Sequence, residues 1–128
     1  MNIKQAALGA AGIDAAAVIV FAAVGRASHD EGILGDNGLG LATTAWPFLV
    51  GAALGWLLVR GWRAPCSLVP TGVVVWACTV AGGMALRVVS DQGVQVSFVV
   101  VASLVLAAFL MGWRVISGAL AKRRGLKP

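Results

Sequence analysis

Charge is scarce in this sequence. Asp, Glu, Lys and Arg make up 12% of its 128 residues, while hydrophobic residues make up 59%. A typical soluble domain carries about twice that charged share. Mean hydropathy is +0.91. This balance excludes a disordered chain, a coiled coil and an ordinary soluble enzyme, and the length suits one domain. Histidine occurs once, so no metal-ligand set can be composed around it. Cysteine occurs twice, Cys66 in a short turn and Cys78 inside an apolar run. A disulfide is not expected in a reducing compartment. No nucleophile–base set and no cofactor motif is present, so the chain reads as a non-enzyme without a cofactor. The net charge of +5 and pI near 10.3 do not indicate nucleic acid, because a basic groove needs far more polar surface than this chain has.

Long apolar runs fill the remainder. Gln5–Gly25 is interrupted only by Asp14, and Asn37–Val59, Ala64–Leu86 and Gln92–Trp113 carry no charge. Crossing the hydrocarbon core takes roughly 20 apolar residues. The runs are continuous rather than alternating, which favours helices over a barrel. The expected fold class is all-α: an integral membrane bundle of four transmembrane helices near 6–25, 44–59, 71–89 and 96–116, with a basic tail over 117–128. Thr43 and Thr44 are read as caps of the second helix, Trp46 as an interfacial residue and Pro47 as a first-turn proline. Pro70 plays a similar part before the third helix. Asp14 in the middle of the first run, with no small-x-small site after it, argues against a cleaved signal peptide.

Orientation follows from Lys and Arg. Lys4, Arg60, Arg63, Arg114, Lys122, Arg123, Arg124 and Lys127 fall on one side, and Arg26 and Arg87 on the other. Asp30, Glu31, Asp36 and Asp91 join the second group. The positive-inside rule then puts both termini in the cytoplasm of a multi-pass cell-membrane protein. The basic tail is expected to attract anionic lipid headgroups.

Polar residues inside a span are costly and therefore informative. Asp14 lies near the midplane, among Ala10, Ala11, Ala17, Val18 and Phe21. It reads either as a proton or cation site or as an interhelical hydrogen bond. Trp76, Thr79, Gly83 and Arg87 share one helical face, with Gly82 beside it, and that face is expected to look inward. Arg87, Arg26 and His29 form a candidate outer cluster for an anion, or for pairing with the outer acids. At about 1.5 Å rise per residue, Asp14 and Arg87 differ in depth by roughly 12 Å, so no direct salt bridge is expected between them. Gly51 and Gly55 form a GxxxG pattern, compatible with internal packing or dimerisation. Phe98 to Leu110 is large and aliphatic and is expected to face lipid over much of its surface. Gly25–Arg26 and Gly55–Trp56 in the first half echo Leu86–Arg87 and Gly112–Trp113 in the second, a weak parallel repeat.

Several of these pieces resemble a known family. Asp14 precedes Gly25–Arg26–Ala27–Ser28–His29. Thr44–Ala45–Trp46–Pro47–Phe48–Leu49–Val50–Gly51 follows, and then Trp76, Thr79, Gly82, Gly83 and Arg87. The set is similar to the bacterial and archaeal membrane proteins grouped as domain-of-unknown-function family 3054. The resemblance runs from about Asp14 to Arg114. It implies a small four-helix membrane protein and no activity. Two functions remain in view: a small transporter or channel for an ion or solute, and a non-catalytic accessory or scaffold subunit, with a homo-oligomer or a membrane partner protein as company. Small multidrug transporters also place one acid in the first of four helices. Here the first loop is long, about 18 residues, and the charge bias opposes an antiparallel dimer.

Overall fold

The computed structural model of the protein describes residues 2–28 and 39–125. Four of its helical segments are long and apolar enough to cross a membrane. They are α1 (Ile3–Ser28), α2 (Leu39–Val59), α3 (Val73–Val89) with the wide turn that leads into it, and α4 (Val96–Arg123). A single tight turn, Gly61–Arg63, and a π-type turn, Leu68–Gly72, connect α2 to α3. The helices form a closed ring in which each packs on its two neighbours, α1 on α2, α2 on α3, α3 on α4 and α4 on α1.

Most helices are longer than the charge gaps predict, and the ends show why. At the start of α1 the side chain of Asn2 accepts from the Gln5 backbone N–H at 2.8 Å, and the Gln5 side chain accepts from the Asn2 N–H at 3.3 Å. This reciprocal cap starts the helix at Ile3 rather than Ala6. The second helix begins at Leu39, ahead of the expected Thr44. Thr43 and Thr44 are not caps. Their hydroxyls donate back to the Leu39 and Gly40 carbonyls at 2.8 and 3.1 Å. Pro47 is therefore an interior residue of α2 and not a first-turn one, a position that membrane helices tolerate. The third helix becomes regular at Val73, because Val69, next to Pro70, is extended. The fourth runs seven residues past the expected Ile116, through good helix formers, and ends where Gly125 takes φ +72°. Part of the expected 117–128 tail is thus helix, with Lys122 and Arg123 in its last turn.

The closest pair is α2 and α3, and glycine sets the approach. A Cβ at Gly51 would lie 2.6 Å from the Cys78 carbonyl oxygen, and one at Gly55 would lie 2.9 Å from the Val75 Cα. Gly82 faces Gly51 with slightly more room, 3.1 Å from a Cβ to the Gly51 Cα. The GxxxG pattern therefore serves packing within one chain. Gly83 leaves the space into which the Phe48 ring fits. Around that ring Phe21 and Phe98 close an aromatic cluster, with Phe21 and Phe48 edge to face at 5.2 Å. The core continues through Val18, Ala52 and Val75 to a stripe of Ala102, Leu106 and Leu110 on α4. The rest of α4 is the least covered of the spans, as a lipid-facing helix requires.

Candidate functional site

Asp14 sits midway along α1 and is 1% exposed. Arg114, four residues beyond Leu110 on the buried stripe of α4, is also 1% exposed. The two meet as a bidentate pair, Nη1 to Oδ1 at 2.9 Å and Nη2 to Oδ2 at 2.8 Å. Two indoles complete the carboxylate. Trp113 Nε1 donates to Oδ1 at 2.8 Å and Trp56 Nε1 donates to Oδ2 at 2.9 Å. An ionised carboxylate offers about four acceptor positions, and here four donors occupy them. The guanidinium is satisfied in turn. Its Nε donates to the Pro65 carbonyl at 3.1 Å, Nη1 also donates to the Leu110 carbonyl at 2.9 Å, and its Cζ lies 4.5 Å from the Trp113 ring centroid. No buried side-chain nitrogen or oxygen among the described residues lacks a partner. The cluster thus ties α1, α2, α4 and the α2–α3 turn together around one ion pair.

This arrangement corrects the place given to Arg114. It does not belong to the exposed basic face. It is buried beneath that face and spent on Asp14. The expected absence of an Asp14–Arg87 bridge holds. Arg87 instead closes the α3–α4 turn: Nε donates to the Gly93 carbonyl at 3.0 Å, Nη1 to Gln92 Oε1 and Nη2 to the Gln92 carbonyl, both at 3.3 Å. It also lies over Phe98, 4.6 Å from the ring centroid. Arg26 reaches from α1 to the start of α2, where Nη1 donates to the Gly40 carbonyl and to Thr44 Oγ1, both at 3.2 Å. His29, with Asp30, Glu31 and Asp36, lies outside the described residues.

The third-helix face is inward as expected, and its polar groups are occupied. Thr79 is buried and bonds the Val75 carbonyl, while Trp76 Nε1 donates to the Ser103 carbonyl of α4 at 2.9 Å. Trp46 is exposed on the outside of α2 and Pro47 is buried. Trp56 and Trp113 were absent from the expected site. The sequence did carry one signal for them, the Gly–Trp pair repeated at Gly55–Trp56 and Gly112–Trp113.

A family model described as "Protein of unknown function (DUF3054)" matches residues 11–117. The chain belongs to that family. The match includes Asp14, Trp56, Trp113 and Arg114, so the whole cluster lies within the DUF3054 region. No curated protein and no solved structure matches the chain.

Proposed function

We propose that this DUF3054 protein is a non-catalytic subunit of a cell membrane, an accessory or scaffold component rather than a carrier. One observation carries the reading: every acceptor position of the only acid inside the spans is filled from within the chain. A carboxylate that relays protons or binds a cation needs an open lone pair at some point in its cycle. Asp14 instead offsets the cost of its own burial by clamping three helices. Lys4, Arg60, Arg63, Lys122, Arg123 and Arg124 gather at one end of the bundle, and by the positive-inside rule that end lies in the cytoplasm. The partners in this reading are lipid at that end and another membrane protein, or a second copy of the chain, along the exposed helix faces.

A second reading, a small transporter for an ion or solute, draws support from one feature. A cleft of about 720 Å³ runs in from the basic end and is lined in part by Arg114. Reconstitution in liposomes separates the two. Wild type and Asp14→Asn are compared for proton-coupled flux, and the protein is recovered from native membranes under mild extraction. Flux no higher than in empty liposomes, with a stoichiometric membrane partner, supports the accessory role. Flux that is present in the wild type and lost in a folded Asp14→Asn variant overturns it.

A further inference from the structure

We propose that the cleft at the basic end is a binding site for one anionic phospholipid, with the headgroup phosphate at Arg63. The proposal rests on the membrane reading above and is independent of the accessory role. The cleft lies between the start of α1, the turn after α2 and the last third of α4, where Ile3, Arg63, Pro65, Val69, Val115 and Gly118 line it. At about 720 Å³ it falls within the usual range of small-molecule pockets, roughly 300–1,000 Å³, which is room for a lipid's headgroup and upper acyl chain and leaves the rest of the lipid in the bilayer.

Its lining is divided by chemistry. The walls are aliphatic, and Val69 presents its side chain from extended backbone at 71% exposure. Two cations border the space and differ in what they have left to offer. Arg114 is buried and committed to Asp14, Pro65 and Leu110. Arg63 is exposed, and its side chain makes no hydrogen bond or ion pair among the described residues. Trp62, beside it, is 45% exposed, as suits a residue at headgroup depth. An apolar wall with one uncommitted guanidinium at its rim matches an amphiphile with an anionic head. A zwitterionic lipid brings its own cation to Arg63 and gains less, and free phosphate gains nothing from the aliphatic wall. A guanidinium suits phosphate because its fork of donors pairs with two oxygens at once.

The test uses the full chain in detergent micelles, with native mass spectrometry and thermal unfolding as readouts. The probes are phosphatidylglycerol, phosphatidylcholine and inorganic phosphate. Phosphatidylglycerol is expected to bind one to one and raise the melting temperature, and the other two are not. Arg63→Ala is expected to weaken that binding about tenfold or more, since a charge-assisted contact is lost. Gly118→Phe is expected to do the same by filling the cleft. A Cβ at Gly118 meets nothing within 4 Å, so the helix itself is not strained. A Lys122→Ala, Arg123→Ala double variant removes charge from the end of α4, outside the cleft, and is expected to weaken phosphatidylglycerol binding less than Arg63→Ala does. Equal binding of the two lipids overturns the proposal, as does wild-type affinity in Arg63→Ala and Gly118→Phe. Stabilisation by inorganic phosphate alone overturns it too, because it would show an ion site without an acyl wall. A protein that inserts into bilayers and shows no lipid preference refutes the cleft and leaves the membrane reading standing.

Discussion

Replacing Asp14 by leucine strips the counter-charge from a guanidinium that is 1% exposed. Breaking a buried pair from one side costs about 3–5 kcal/mol, because the remaining charge stays desolvated and unpaired. The indole N–H groups of Trp56 and Trp113 lose their acceptor in the same step. Arg114→Met carries a similar cost from the other side and leaves Asp14 with the two indoles alone. Summed as independent changes, the two substitutions predict a loss of about 6–10 kcal/mol, comparable with the whole stability of a typical domain. The Asp14→Leu, Arg114→Met double variant leaves no charge behind. Its main debt is two indole donors, about 1–3 kcal/mol each. Against a summed loss of about 6–10 kcal/mol, the double variant should lose about 2–6 kcal/mol, so a double-mutant cycle should show a coupling of about 4 kcal/mol. The assay is unfolding in dodecylmaltoside micelles titrated with dodecyl sulfate, followed by far-UV circular dichroism. Where the single variants do not fold, recovery of folded protein in the double variant is the readout. A double variant whose loss equals the sum of the singles within about 0.5 kcal/mol refutes the claim that the ion pair holds the bundle. Asp14→Asn sharpens the cycle. An amide has the same shape but turns its NH2 group toward donors, so it should be nearly as damaging as leucine, and wild-type stability in Asn would show that charge is not what matters.

Three further outcomes follow from the packing and the topology. Gly51→Ala places a methyl against the Cys78 carbonyl and should cost about 1–3 kcal/mol; Gly112→Ala, with nothing within 4 Å, should be neutral or stabilising by up to about 1 kcal/mol, and the same micelle titration compares them. Trp113→Phe and Trp56→Phe each remove one donor to the carboxylate and should each cost about 1–3 kcal/mol. In an Asp14→Leu, Arg114→Met background, where no carboxylate is left to serve, each should lose that cost and be neutral or stabilising by up to about 1–3 kcal/mol, because it removes an orphaned indole donor. Reporters of cytoplasmic and external location fused after the basic end of α4 should read cytoplasmic, and an external reading would reverse the orientation assigned from Lys and Arg.

The fold was legible because its signal is an absence. A stretch of about 20 residues without charge has few alternatives to a membrane helix, and four such stretches exhaust most of this chain. Helix ends were less legible, since a charge gap records where apolarity stops and not where hydrogen bonding stops. That small error hid the site. With α4 ending at Ile116, Arg114 lies two residues from the helix end, about 3 Å deep, and reads as one more cytoplasmic cation. With the observed end at Arg123, it lies nine residues in, about 13–14 Å deep. Asp14 is eleven residues into α1, about 16–17 Å deep from the same end. The depth argument that separated Asp14 from Arg87 therefore selects Arg114 once the helix has its full length. Periodicity alone was weaker evidence. Ala102, Leu106, Leu110 and Arg114 recur every four residues, but α4 is apolar around most of its circumference, so no contrast marks which stripe faces inward. What singled out Asp14 was cost, and cost also implied that something must meet it. The sequence stated that requirement, and the position of α4's end determined which residue fulfils it.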